Sequence, residues 1–445
     1  METQLNNLIR SLEFLREITD KRLALHFSND RQAEFSYPQL AIEGDDTPLN
    51  QFIIQHQLNI EEYIILLLAL LPHIQPNFID TIVQKYLPNG GDFAEIGGVK
   101  GSNHRGMLPT GETALFILGG TDVRRRMMAA KYFAPDHFFA KENILTLEPI
   151  RDGEPRMSGR IIMQPEYVDL FTTGSNFKYN FSPDFPAKYI TTKMDWSDLV
   201  LNPKTAQQIN DIKTWLDHNA RFLQEWEMDK KVKPGFRALF YGPSGTGKTL
   251  TATLLGKQFR KDVYRIDLSQ VVSKYIGETE KNLEKIFQKA EHRDWILFFD
   301  EADALFGKRS NVSNAHDKYA NQEVSYLLQR VEDFPGLIIL ASNFKSNIDG
   351  AFIRRFNAVV PFFAPSAAER LQLWKSTIPP RAQLAEDVDL SLLANKYELT
   401  GSSIVSIIHF ASLQAIARGS EVIMKKDLVE GIQREYEKEE RVFTE

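Results

Sequence analysis

The eight residues GPSGTGKT, 242–249, constrain this chain more than any other stretch. They follow a short apolar run, RALFY, and precede LTATLLGKQF, which reads as a helix. A strand before and a helix after is the setting a phosphate-binding loop needs. Glycine adopts backbone angles closed to other residues, so Gly242, Gly245 and Gly247 let the chain curl with several N–H groups facing one point. The helix that follows adds its positive N-terminal end. Lys248 would then reach the β- and γ-phosphates of a nucleotide, and the Thr249 hydroxyl would bind Mg²⁺. Pro243, Ser244, Thr246 and Leu250 complete the expected nucleotide-binding set. The alternative is a chance glycine-rich turn, and both flanks disfavour it.

From about Trp196 onward, short apolar runs alternate with amphipathic segments: RALFYG, DVYRIDL, WILFFDE and LIILASN. That alternation predicts a mostly parallel sheet covered by helices on both faces. In such a sheet ligands bind outside the carboxyl ends of the strands. WILFFDEADALF delivers Asp300 and Glu301 to one such end, where Asp300 would hold the Mg²⁺ shell and Glu301 would act as general base on the attacking water. LIILASN ends in Asn343, which could orient that water, although Asn after a strand is usually a turn residue. NIDGAFIRRF carries Arg354 and Arg355, either a solvated face or, in a ring, arginines that stabilise transition-state charge in a neighbour's site.

Three regions are expected. Residues 1–190 hold helices first and strand-like segments later, an N-terminal mixed α/β region. In it, Asn59 and Glu62 resemble a helix cap before the buried run YIILLLALL, which is too short to span a bilayer. ILTLEPI and RIIMQ read as a hairpin, and helices followed by a hairpin suggest a winged-helix-like module. FSPDFPAKYITTKMDW, 181–196, reads as a linker. Residues 196–365 form the sheet domain, and 366–445 give only helical signals, beginning with a capping-box spacing at Ser366 and Glu369. The net charge of −6 argues against a life on nucleic acid, and the absence of cysteine excludes disulfides and thiolate chemistry and fits a reducing, cytoplasmic setting. Arg124, Arg125 and Arg126 read as a solvated helix face.

In this order, GPSGTGKT, FFDEADALF, ILASN, IDGAFIRRF and LTGSS resemble the AAA ATPases over residues 196–445. The resemblance implies an αβα nucleotide domain with a helical lid, ATP and Mg²⁺ as cofactors, and ATP-driven remodelling or unfolding of a protein client by a ring, commonly a homohexamer. It assigns Asn343 as the polar sensor and Arg354 and Arg355 as fingers acting in trans. Many relatives carry a further arginine just beyond, where this chain has Asn357, Ala358 and Val359, so finger duty falls on Arg354 or Arg355, with Arg355 favoured. Gly401, Ser402 and Ser403 stand where other branches place a nucleotide-sensing arginine, so Thr400–Ser403 should lie near the adenosine with Asp198, Leu199 and Val200. The arrangement is also similar to bacterial AAA proteins that accompany phage-tail-like contractile injection systems.

The same resemblance bears on KYIGETEKNL, 274–283. Leu283, Ile286, Phe287 and Ala290 fall at helical intervals and should face the sheet, with Lys281, Glu284, Lys285 and Lys289 pointing away. Lys274, Tyr275, Ile276 and Gly277 precede that helix, where the family carries an aromatic loop facing a central pore; local packing of Tyr275 is the alternative. Lys308, Arg309 and His316 could line the same pore or lie on a solvated loop. A nucleic-acid motor and a non-catalytic assembly protein are the competing functions. The acidic balance disfavours the first, and Glu301 with the paired arginines disfavours the second.

Overall fold

The computed structural model describes residues 2–28, 35–38, 46–91, 93–174, 178–179, 181–182, 185–271, 278–291, 293–303, 325–343 and 350–443. The chain divides into two compact units, Met1–Lys178 and Tyr179–Glu445.

The first unit is mainly helical. Asn59 and Glu62 form the expected capping box on the helix Ile60–Ile74, and every residue from Tyr63 to Leu71 is buried. This apolar run is therefore a core helix, and no single helix among the described residues is long and apolar enough to cross a membrane. Strands β1 (Val99–Lys100) and β2 (Met107–Leu108) pair antiparallel. So do β3 (Leu145–Leu147) and β4 (Ile161–Met163), which is the expected hairpin. Leu145, Ile161 and Met163 belong to the same buried cluster as Ile64 and Leu68. The inward side chains of the hairpin are thus part of the core. HRGMLPTGETALF also gains a structural reason: Thr110 and Thr113 cap the helix Gly111–Gly119 reciprocally. At its other end buried Arg22 donates to the Ile117 and Leu118 carbonyls, both at 2.8 Å. Arg126 is paired with Glu112, and the Arg125 Nε lies 3.7 Å from Asp122.

The second unit is built on a six-stranded sheet. Its strands are β5 (Lys188–Ile190), β6 (Phe236–Tyr241), β7 (Val263–Asp267), β8 (Ile296–Asp300), β9 (Leu337–Ser342) and β10 (Ala358–Pro361), in the order β10-β6-β9-β8-β7-β5. All neighbours are parallel except β5, which runs antiparallel to β7. The four apolar runs became β6 to β9, as the alternation predicted. Their side chains alternate between two faces. Ala238, Phe240, Phe298 and Ile339 cluster with Ile209 and Ile212 of the helix Pro203–Gln224 and with Ala252 and Leu255 of Lys248–Phe259. On the other face Phe287 of the helix Glu278–Glu291 stacks on Phe299 at 5.9 Å. Each such ring contributes on the order of 1.5–3 kcal/mol by leaving water.

Three expectations need correction. The segment expected as linker contributes β5, with Lys188 opposite Arg265 and Ile190 opposite Val263, and buried Phe185 packs on Tyr264 at 5.4 Å. Residues 179–190 therefore belong to the second unit, and the boundary falls at 178–179 in place of 190. In the helix Glu278–Glu291 the predicted stripe Leu283, Ile286, Phe287 and Ala290 is buried. Two of the residues expected to point away from the sheet also have partners: Glu284 lies 3.1 Å from Arg330, and the Lys289 ammonium lies 4.4 Å from the Tyr179 ring. The C-terminal part is not purely helical. Its helices Ala367–Thr377, Gly401–Ala417 and Lys425–Lys438 surround Trp374, Ile404 and Leu428, and β11 (Gln383–Leu384) pairs parallel with β12 (Val422–Ile423).

Candidate functional site

Because β6, β9 and β8 run parallel and adjacent, their carboxyl ends share one edge. The phosphate loop follows β6, Asp300 closes β8 and Asn343 follows β9. A cleft of about 670 Å³ opens there, lined by Ser244 to Leu250, Asp300, Glu301 and Asn343 from the sheet side. Gly401 and Ser402 line it from the helical side, and Asp198, Leu199 and Val200 from the segment leading into the domain. The structure thus brings together nearly every residue expected around a nucleotide.

Lys248 is the centre of the cleft. It is 8% exposed, and its ammonium donates to the Gly242 carbonyl at 2.6 Å, the Pro243 carbonyl at 3.0 Å and Asn343 Oδ1 at 3.2 Å. Burial lowers its pKa, opposed by the charges of Asp300 and Asp303. A partly desolvated cation ringed by neutral carbonyls is suited to an anion, since phosphate would supply the countercharge that water no longer does.

Two glycines of the loop are required where they stand. Gly242 has φ +146, and a Cβ on it would lie 1.9 Å from the Phe362 carbonyl oxygen. Gly245 has φ +74, and its Cβ would lie 1.9 Å from Ser402 Oγ. The Ser402 N–H donates to the Gly245 carbonyl at 3.2 Å, so the lid helix abuts the phosphate loop directly. Gly245→Ala is expected to push these two elements apart. The left-handed backbone alone costs a non-glycine roughly 1–2 kcal/mol, and nucleotide affinity should fall about tenfold or more. Equilibrium titration with a fluorescent ATP analogue measures it, and wild-type affinity would contradict this account of the loop.

Glu301 has φ +54, a left-handed conformation rare for a residue with a side chain. Its N–H donates to Asp300 Oδ1 at 3.1 Å, and the next residue, Ala302, bonds back to the Ala341 carbonyl at 2.8 Å. The chain therefore turns sharply after β8 and leaves the Glu301 side chain exposed in the cleft. Oxygen donors from Thr249 and Asp300 suit Mg²⁺, a hard cation that keeps several waters and takes its remaining ligands from phosphates. Among the described residues no group of three or more His, Asp or Glu could hold a metal ion without such help.

Arg354 and Arg355 do not line this cleft. They follow the short helix Gly350–Ile353 and are both exposed. Arg355 lies 2.6 Å from Glu332, which also receives Lys233 at 2.9 Å. The Lys233 hydrogen bond, opposed by burial and aided by the Arg355 charge, holds the Glu332 carboxyl below the usual range. Arg354 has no ion pair among the described residues. Lys274, Tyr275, Ile276 and Gly277 lie outside the described residues, as do Lys308, Arg309 and His316.

Among the cleft-lining residues not singled out from the sequence, one touches Asp300 directly. Arg265, on β7, lines the cleft and reaches Asp300 Oδ2 at 3.0 Å. The available signal was a charge placed inside the apolar run DVYRIDL.

Comparisons with known proteins agree with this geometry. Residues 238–363 match the family model described as ATPase family associated with various cellular activities (AAA). A proteasome-activating nucleotidase of Aeropyrum pernix is 32% identical over 211 residues, 46% of this chain and 51% of the relative. The ATP-dependent zinc metalloprotease FtsH 2 of a Thermoanaerobacter species is 31% identical over 58% of this chain and 53% of its own length. A proteasome-activating nucleotidase of Methanococcus vannielii is 31% identical over 53% of this chain and 59% of its own length. The chain spans about half the length of these curated relatives. On the matched domain, the strand order and the cleft at the carboxyl ends of β6, β8 and β9, residues 238–363 form a domain of the AAA family of ATPases.

Proposed function

We propose that this chain assembles into a ring, a homohexamer, that hydrolyses ATP to remodel or unfold a protein client. The observation that carries the reading is the convergence of Lys248, Thr249, Asp300, Glu301 and Asn343 with lid residues Gly401 and Ser402 on one cleft. The phosphate loop and Lys248 would bind the nucleotide phosphates, and Thr249 and Asp300 would hold Mg²⁺, whose chemistry there would be Lewis-acid stabilisation of phosphate charge. Glu301 takes the proton of the attacking water, and Asn343 positions that water while sharing its oxygen with Lys248. Leu199, Gly401 and Ser402 close over the adenosine. Arg354 and Arg355 stabilise developing charge in the neighbouring subunit's cleft, and Arg354, which has no ion pair among the described residues, is favoured over Arg355, which Glu332 engages.

The names of two relatives, a proteasome-activating nucleotidase and an ATP-dependent metalloprotease, support protein clients over nucleic acid. The net charge of −6 supports the same choice. The likeness in arrangement to AAA proteins of contractile injection systems makes tail, sheath and baseplate components the first clients to try. Lys274-Tyr275-Ile276 would grip the client. Tyr275→Ala is expected to keep ATP hydrolysis and lose client remodelling, followed as release or unfolding of a fluorescently labelled client. Intact remodelling by that variant would remove the loop from the proposal.

A further inference from the structure

Strand register places an unexpected cation at the metal-binding carboxylate. Asp267 lies directly opposite Asp300, and Arg265 lies opposite Phe298. Side chains two apart on a strand share a face, so Arg265, Asp267 and Asp300 all belong to one face of the β7–β8 pair, with Arg265 diagonal to Asp300. The Arg265 guanidinium meets Asp300 Oδ2 at 3.0 Å, while Asp300 Oδ1 accepts the Glu301 N–H at 3.1 Å. Both oxygens of the carboxylate expected to hold Mg²⁺ are therefore engaged by this chain's own donors. The Arg265 side chain is 40% exposed, lines the cleft, and carries a buried Nε without a hydrogen-bond partner among the described residues. That is an incomplete anchorage for a guanidinium, which normally spends its donors in pairs on a planar partner.

We infer that Arg265 is a positioning residue that occupies Asp300 until a divalent cation is loaded, and so sets the Mg²⁺ concentration the site needs. This rests on the reading of the cleft as a nucleotide site. Physically, Arg265 and Mg²⁺ compete for one carboxylate, and like charges this close oppose each other. With the cation absent, Arg265 instead adds a positive charge facing the phosphates, as Lys248 does. The two effects have opposite signs, which separates this role from a merely structural one.

The test is equilibrium binding of a fluorescent ATP analogue to full-length wild type, Arg265→Gln and Arg265→Lys, at graded Mg²⁺ and in EDTA. Arg265→Gln should lower the half-saturating Mg²⁺ concentration roughly fivefold, the scale of one partly exposed ion pair, and should weaken binding in EDTA. Arg265→Lys, which keeps the charge but not the fork, should fall between. An Mg²⁺ requirement in Arg265→Gln that is unchanged or higher would overturn the inference alone, as would equal weakening with and without Mg²⁺. Failure of wild type to bind the analogue in either condition would overturn the inference together with the nucleotide reading.

Discussion

Glu301→Gln should bind ATP as wild type does and hydrolyse it about 10²–10⁴ times more slowly, the range a positioned general base contributes. Three features of the structure set this expectation. Glu301 is exposed at the cleft and is bonded to Asp300 only through its backbone, so its carboxylate is available to a water molecule. Its φ of +54 is held by the Ala302–Ala341 hydrogen bond, and glutamine bears the same backbone strain as glutamate. Lys248, Thr249 and the loop glycines are untouched, so phosphate binding survives. Steady-state phosphate release and nucleotide titration check the two halves separately. Binding should also raise the melting temperature of both proteins alike. ATP at a hundredfold excess over its dissociation constant adds about 2.7 kcal/mol, which is roughly 5–10 °C for a unit of this size.

The second large effect concerns the paired arginines. Loss of both Arg354 and Arg355 should lower hydrolysis about 10³–10⁵-fold, the range for a finger acting in trans, while leaving nucleotide affinity unchanged. Affinity is spared because neither residue lines the cleft of its own chain. Arg354→Ala alone should account for most of the loss. Arg355 is already engaged by Glu332 at 2.6 Å, so Arg355→Ala should cost less. Complementation separates trans from cis action. Arg354→Ala subunits retain an intact cleft, and Glu301→Gln subunits retain an intact finger. Mixing the two should restore hydrolysis well above either alone. No recovery on mixing would place the arginines' action within one chain.

The distribution of what was legible follows from what sequence patterns encode. Runs such as RALFY and WILFFD are continuous, apolar and bounded by turn residues, and each became a central strand of the sheet. The phosphate loop and the carboxylates at the end of β8 were legible because their chemistry requires fixed residue types at fixed spacing. Strand β5 was not, since its three residues, KYI, acquire their conformation from pairing with β7 some 75 residues away, and no local period marks it. The pairing of Arg355 with Glu332 was not legible either, because a contact between side chains 23 residues apart depends on how the helical segment 325–333 lies beside the arginines. Arg265 was passed over for a related reason: its meaning comes from being diagonal to Asp300, a fact of register and not of either strand alone. In the first unit, motifs that offered no chemistry proved to be caps and core helices, as Thr110 and Asn59 illustrate.

The central claim is that ATP turnover in this cleft drives work on a protein. Its most direct test uses Glu301→Gln as a trap: the variant is loaded with ATP and Mg²⁺, isolated as an assembly, and its mass, bound nucleotide and bound macromolecule are determined by native mass spectrometry. The account expects a six-subunit ring that retains ATP and holds protein, with nothing held by Lys248→Ala carried through the same steps. A monomer without nucleotide, or a ring that retains nucleic acid in place of protein, would contradict it.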